Sequence, residues 1–249
     1  MSKQAVIKGS CENCYLRKSP RSIALGPREH QLISRSLVRR FVVEEGEQLV
    51  ETGQASGVYT LYDGSAFEAI TLPDGRRQIV DFYIPGDIIG FDGIAGRAQR
   101  SVTMMSSAII CEFVPDMLDL LIEADAAFAR NLIAAALEKA RSLEDLAVRL
   151  GRMRAIERVA DLFLTIYTRS AAINRVSYGG SITCAFPATH RILADATGLT
   201  PAHINNILRE LREGRIAVLS GKILTIHDLP QLEQLAGTAA VELGQRLIL

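Results

Sequence analysis

The chain has 249 residues, 48% of them hydrophobic, with 28 basic against 28 acidic side chains and no Trp. That is enough apolar material for one large domain or two modest ones, and it excludes a disordered or fibrous chain. Its apolar runs are a few residues long, far below the roughly 20 that a membrane-spanning helix needs, and residues 1–10 carry two Lys and no greasy stretch, so no membrane span and no secretory leader are expected and the cytoplasm is the expected location.

From residue 40 to 114 the sequence is a series of short β-prone runs, at 41–43, 58–62, 67–72, 77–83 and 108–114, separated by Gly, Pro and Asp. Gly53, Gly64, Gly75 and Gly86 recur every eleven residues, the interval of a strand plus a turn. Pro73-Asp74-Gly75 is a hairpin signal, because Pro presets one dihedral and Gly accepts positive φ. A small all-β unit of jelly-roll or barrel type is predicted.

After Pro115 the texture changes. Residues 116–150 contain no Gly or Pro and are rich in Ala, Leu, Glu and Arg, which predicts one long helix, with a break near 124–127, ended by Gly151. Leu132, Ala136, Ala140, Leu143, Ala147 and Leu150 lay an apolar stripe along it that can pack against a twin helix or against the β-unit of its own chain. Residues 152–169 predict a second amphipathic helix through Ile156, Val159, Ala160, Phe163 and Ile166 or Tyr167, and 171–181 a polar connection.

The segment 151–227 carries ten Lys/Arg against five Asp/Glu, a net of +5 that leaves −5 for the remainder of a neutral chain. A basic part joined to an acidic one suggests a polyanion partner for the first and a different task for the second. Within it, 190–199 reads as a short helix and a tight turn, with Ile192, Leu193 and Ala196 inward and Gly198 at a left-handed position. A second helix starts at the N-cap Thr200 with Pro201 at its first position and closes at Gly214, burying Ile204, Ile207, Leu208 and Leu211. Its outer strip is Ala202, His203, Asn205, Asn206, Arg209 and Arg212. Asn pairs bidentately with an adenine edge, Arg with guanine or a phosphate, and a small side chain admits a thymine methyl, so the strip suits a DNA major groove. Two further β-prone runs flank Ser220-Gly221-Lys222, a wing that brings Lys222 to the DNA backbone.

With these segments in order, the sequence resembles the Crp/Fnr transcription regulators over nearly its whole length. Pro85-Gly86-Asp87-Ile88-Ile89-Gly90-Phe91-Asp92 and Leu193-Ala194-Asp195-Ala196-Thr197-Gly198-Leu199-Thr200 are similar to that family's motifs, and the Gly90-Phe91-Asp92 run with the Cys111-Glu112 pair resembles the Fnr branch more than the cyclic AMP branch. The resemblance implies an α+β architecture: an N-terminal segment (1–30), a β-roll sensor like a cyclic-nucleotide-binding domain (31–115), a dimerisation helix (116–150), a winged helix-turn-helix (151–228) and a C-terminal tail (229–249). It further implies a homodimer on near-palindromic double-stranded DNA, with RNA polymerase as a partner and a redox, oxygen or small-molecule signal entering at the roll. The DNA-contacting residues would be Thr200, Ala202, His203, Asn205, Asn206, Arg209, Arg212 and Lys222. The Fnr branch reads its half-site with Glu, Ser and Arg where Ala202, Asn205 and Asn206 stand here, so its operator is not carried over.

The signal is less legible than the DNA-reading segment. For an effector, Gly86, Asp92, Arg100 and Ser101 are the candidates, since Arg100-Ser101 matches the family's phosphate-holding pair. Phe91 occupies the place of the ribose-holding Glu, which disfavours a cyclic nucleotide and leaves a cyclic-nucleotide-responsive regulator as an alternative. Four Cys in a chain without an export signal are expected to stay reduced. Cys11 and Cys14 have a C-x2-C spacing that suits thiolate ligation of an iron–sulfur cluster or zinc, and Cys111 matches the fourth ligand of the Fnr branch. The third ligand position is Pro20, which cannot ligate, so a four-thiolate cluster is disfavoured; Cys184 is a candidate redox thiol beside the reading unit. No enzyme is expected, because none of His30, His190, His203 and His227 lies in 40–114 and no nucleotide or nucleophile motif occurs. A protein-interaction module without DNA binding is the alternative of a different class.

Overall fold

The structure is a computed structural model, which describes residues 27–54, 57–90, 98–171, 176–178 and 181–237. The chain divides into two compact units, one of residues 1–73 and 81–143, the other of 74–80 and 144–249.

The first unit opens with α1 (Pro27–Ser36), a helix that sequence patterning did not single out. From there to residue 113 the chain forms eight strands, β5 being divided between the two units at residue 80: β1 (Leu37–Val43), β2 (Gln48–Val50), β3 (Val58–Asp63), β4 (Ala66–Thr71), β5 (Arg77–Tyr83), β6 (Ile88–Ile89), β7 (Ser101–Met104) and β8 (Ala108–Phe113). They form two four-stranded sheets, ordered β1-β8-β3-β6 and β2-β7-β4-β5. The five predicted runs correspond to β1, β3, β4, β5 and β8; β2, β6 and β7, of two to four residues, are too short to show an alternating pattern. Gly53, Gly64, Gly75 and Gly86 all take positive φ, between 84° and 95°, so the eleven-residue recurrence marks real turns. At Gly64 a Cβ would also lie 2.8 Å from the Ala108 backbone, which ties that turn to the start of β8.

Inward residues of the strands, among them Phe41, Leu61, Ile89, Val102, Met104 and Ile110, make the core of this β-roll. A second cluster joins Ile33 of α1 to Val58, Cys111 and Phe113, and to Leu118 and Leu121 of α2 (Met117–Ala124) and Phe128 of α3 (Ala126–Arg152). The expected break of the long helix therefore falls at Asp125, whose backbone is extended. Gly151 does not end the helix as predicted. A glycine stops a helix by taking a left-handed conformation, and Gly151 is not among the positive-φ glycines; α3 runs on to Arg152.

The second unit contains α4 (Ala155–Ala171), β9 (Val176–Tyr178), β10 (Ser181–Ala185), α5 (His190–Thr197), α6 (Pro201–Glu213), β11 (Ala217–Ser220), β12 (Ile223–Ile226) and α7 (Leu229–Ala236). The predicted polar connection at 171–181 thus holds β9 and the first residue of β10, which belong to the sheet β11-β12-β10-β9. Glu157 accepts the Arg154 N–H at 2.7 Å, closing the first turn of α4 as a capping box does, and these bonds hold the Glu157 carboxyl below its usual range. Six consecutive residues of α4, Val159 to Leu164, are buried, more than one amphipathic face allows, because α4 packs against α5, α6, α7 and β10. Asp161 is the polar member of that set, and Arg149 bonds it; burial nevertheless pushes the Asp161 pKa up.

Candidate nucleic-acid interface

Two helices and a β-hairpin build the site. Thr189 caps α5 by accepting the Ile192 N–H at 3.2 Å, and the helix stops where Gly198 turns left-handed at φ 66°. Any side chain at Gly198 would press on Leu150 at 3.2 Å. Arg158 donates to the Thr197 carbonyl at 3.2 Å and to that of Met153 at 2.9 Å, which satisfies the last turn of α5 from the neighbouring helix. Leu193 and Ala196 are buried as predicted, while Ile192 is half-buried.

Thr200 then caps α6, its hydroxyl accepting the His203 N–H at 3.2 Å, with Pro201 following in the first turn. Ile204, Ile207 and Leu211 are buried, and Leu208 is half-buried. The C-terminus closes by a Schellman pattern: Ile216 donates to the Leu211 carbonyl at 2.9 Å and Arg215 to that of Arg212 at 3.0 Å. Gly214 is the C-cap but keeps a right-handed φ of −72°; the left-handed position falls on Arg215, with φ 55°.

Thr200, Ala202, His203, Asn205, Asn206, Arg209 and Arg212 are all exposed. Ala202, Asn206 and Arg209 lie nearest the centre of the outward face at 3.6 residues per turn, with Asn205 beside them. Arg209 donates to the Asn206 amide oxygen at 3.3 Å, so these two polar side chains of the strip are already ordered against each other. Lys222 is exposed at the tip of the β11–β12 hairpin. That turn is two residues, Gly221 and Lys222, both at positive φ (58° and 67°), between the paired Ser220 and Ile223, the geometry of a type I′ hairpin.

Within the matched region, residues 157–235 fit the Crp-like helix-turn-helix domain. The chain is 30% identical to the nitrogen fixation regulation protein FixK of Bradyrhizobium diazoefficiens over 228 residues, which covers 91% of this chain and 93% of that one. This chain belongs to the Crp/Fnr family. On the Fnr side, this member is 22% identical over 231 residues to the fumarate and nitrate reduction regulatory protein of Vibrio cholerae, covering 92% of this chain and 91% of that one. A solved structure of FixK2 from Bradyrhizobium japonicum superimposes with a TM-score of 0.70 at 27% identity, covering 80% of this chain and 97% of that one. The β-roll, long helix and C-terminal helix-turn-helix are therefore the Crp/Fnr fold. The matched domain extends to residue 235 and so takes in all of α7 but its last residue, within the 229–249 stretch that reads as a tail from sequence.

Gly86 is a turn glycine whose N–H bonds the Leu61 carbonyl at 2.7 Å. Arg100 approaches Glu68 at 3.5 Å, and the Ser101 hydroxyl bonds the Ala69 carbonyl at 3.4 Å; Asp92 lies outside the described residues. Cys111 is buried, with Arg40 donating to its sulfur at 3.3 Å, whereas Cys11 and Cys14 lie outside the described residues. Among the described residues no group of three or more His, Cys, Asp or Glu is placed to hold a metal ion, and the chain's donor set, with Pro20 in the third position, does not fit a four-thiolate cluster. Burial pushes the Cys184 thiol up to about 11, against a bond with Ser170 that lowers it. A thiol raised in this way is a weak nucleophile at neutral pH. No helix among the described residues is long and apolar enough to cross a membrane.

Proposed function

We propose that this protein is a sequence-specific, homodimeric, cytoplasmic DNA-binding regulator without catalytic activity. Ala202, His203, Asn205, Asn206 and Arg209 meet base edges, and Thr200, Arg212 and Lys222 hold phosphates. The observation that carries this reading is α6: a helix capped at both ends, buried on one side through Ile204, Ile207 and Leu211, and lined on the other by exposed hydrogen-bonding and cationic side chains. A small residue at Ala202 lets the N-terminal turn approach the groove floor, and the α6 N-terminus adds its partial positive charge near the phosphates.

Pairing is supported by α3, whose outward residues Ile133, Leu137 and Val148 are 62%, 56% and 55% exposed, with exposed Ala136, Ala140 and Ala147 between them. Two such helices pack closely through the alanines and bury the larger side chains. A two-fold dimer presents two reading helices to half-sites about one helical turn apart, roughly 34 Å. The proposed division of labour assigns sensing to 31–115, pairing to 116–150 and DNA reading to 151–228 extended through α7, with RNA polymerase as the partner on DNA.

The test is binding to a duplex selected from a random pool, followed by single substitutions. Arg209→Ala and Asn206→Ala are each expected to cost about 1–3 kcal/mol on the selected site and to relax base choice, while Lys222→Ala weakens all duplexes alike and flattens the salt dependence. Equal losses on selected and random DNA for all three would contradict the base-reading assignment.

A further inference from the structure

An ion cluster that DNA reading does not use joins the strands of the roll to α3. Glu68 on β4 and Asp81 on β5 are 5% and 8% exposed, deep burial for carboxylates. Both accept the ammonium of Lys139, from the middle of α3, at 2.9 and 2.5 Å. The same ammonium lies 5.6 Å from the centre of the Tyr83 ring. Other groups also orient the carboxylates: Glu68 accepts the Tyr83 hydroxyl at 3.1 Å and faces Arg100 at 3.5 Å, and Asp81 accepts the Phe82 N–H at 2.8 Å. Burial, with Glu68, Asp81 and Asp87 nearby, raises the Tyr83 pKa well above its usual value, so its hydroxyl remains a donor. Two carboxylates and an aromatic face around one –NH3+ are the elements of a primary-ammonium site.

Lys139 lies on the side of α3 that meets Glu68 and Asp81. On the same side of the helix, Phe128, Leu132 and Ala135 pack against the cluster that includes Cys111 and Leu121. With that side held, Ile133, Leu137 and Ala140 point outward. We infer that the Lys139 ammonium is a tethered ligand of the roll: the chain supplies its own primary amine to the Glu68–Asp81–Tyr83 cage, and this sets the rotation of α3 that exposes the pairing face. Such a roll has no need of a phosphate-bearing effector to set the helix. Arg100, which would hold that phosphate, is instead turned to Glu68. The inference rests on the paired DNA-binding reading above.

Lys139→Ala removes the equivalent of n-propylammonium, which is therefore the probe. In the full chain, this variant is expected to melt lower than the wild type and to bind the selected duplex at least tenfold more weakly. Added n-propylammonium chloride should raise its melting temperature saturably and restore DNA affinity over the same concentrations. Sodium propionate and tetramethylammonium should do neither, and adding Glu68→Gln should abolish the rescue. Should Lys139→Ala fail to fold, Lys139→Gln keeps most of the length and the polarity of the side chain without the charge, and it too is expected to lose at least tenfold in DNA affinity. No saturable rescue, equal rescue by tetramethylammonium, or wild-type DNA affinity in either variant would overturn the inference. If the wild type binds no duplex, the regulator reading fails, while the melting measurements still decide the cage.

Discussion

Arg215 and Lys222 hold positive φ without being glycine, one at the end of α6 and the other in the wing turn. Such a conformation costs a non-glycine side chain about 1 kcal/mol, so the substitutions with glycine separate backbone strain from chemistry. Arg215→Gly is expected to leave stability unchanged or raise it by up to about 1 kcal/mol in a urea melt, the relief of strain being partly offset by a more flexible unfolded chain. Lys222→Gly should do the same while still losing phosphate affinity. The ionisation of Cys184 offers a second check at this scale. With the thiol pushed up to about 11 by burial, its alkylation should be very slow at pH 7–9 and accelerate only toward pH 11. Folding contributes here a preference for the neutral thiol, present below the unfolded pKa and lost as pH rises through the folded one. Rapid labelling of Cys184 at pH 7, followed by mass spectrometry of its peptide, would contradict this environment.

Caps and buried ion pairs decide which elements are firm. Thr200→Ala removes the acceptor for the His203 N–H and is expected to destabilise the second unit by about 1 kcal/mol, weakening DNA binding through the start of α6. Arg149→Met leaves Asp161 on α4 without this partner and should cost about 3 kcal/mol in a denaturant melt, whereas the double change Arg149→Met with Asp161→Leu should recover most of the loss. The elements that sequence made plain are those whose signals are local: the short helix α5 with its Gly198 turn, the capped helix α6, the glycine-punctuated turns of the roll, and the wing around Ser220-Gly221-Lys222. What escaped depends on packing partners. Residues β2, β6 and β7 contribute are held by neighbouring strands rather than by their own pattern. In α4, burial on several sides overrides amphipathic spacing. At Gly151, glycine alone was too weak a stop signal for a helix that continues for another residue. The Lys139 site was invisible for the same reason, because Glu68, Asp81 and Lys139 are far apart in the chain and look like solvated charges until the roll closes around them.

For the whole molecule, the stripe along α3 and the reading face of α6 must act together if two half-sites are read at once. A helix of 27 residues spans about 40 Å, long enough to carry a pairing seam through several turns. Leu137→Glu, placed on its exposed side, puts a pair of like charges into that seam and is expected to convert the dimer to a monomer in sedimentation equilibrium. The same variant should lose most of its affinity for the selected duplex, with little change in melting of the monomer. The most direct measurement is footprinting of the wild-type protein on duplexes enriched from a random pool at low salt, with its mass in solution determined alongside. A dimer protecting two inverted half-sites about one helical turn apart, with the pattern altered by Asn206→Ala and Arg209→Ala, is the predicted result. A monomer that enriches no sequence would contradict it.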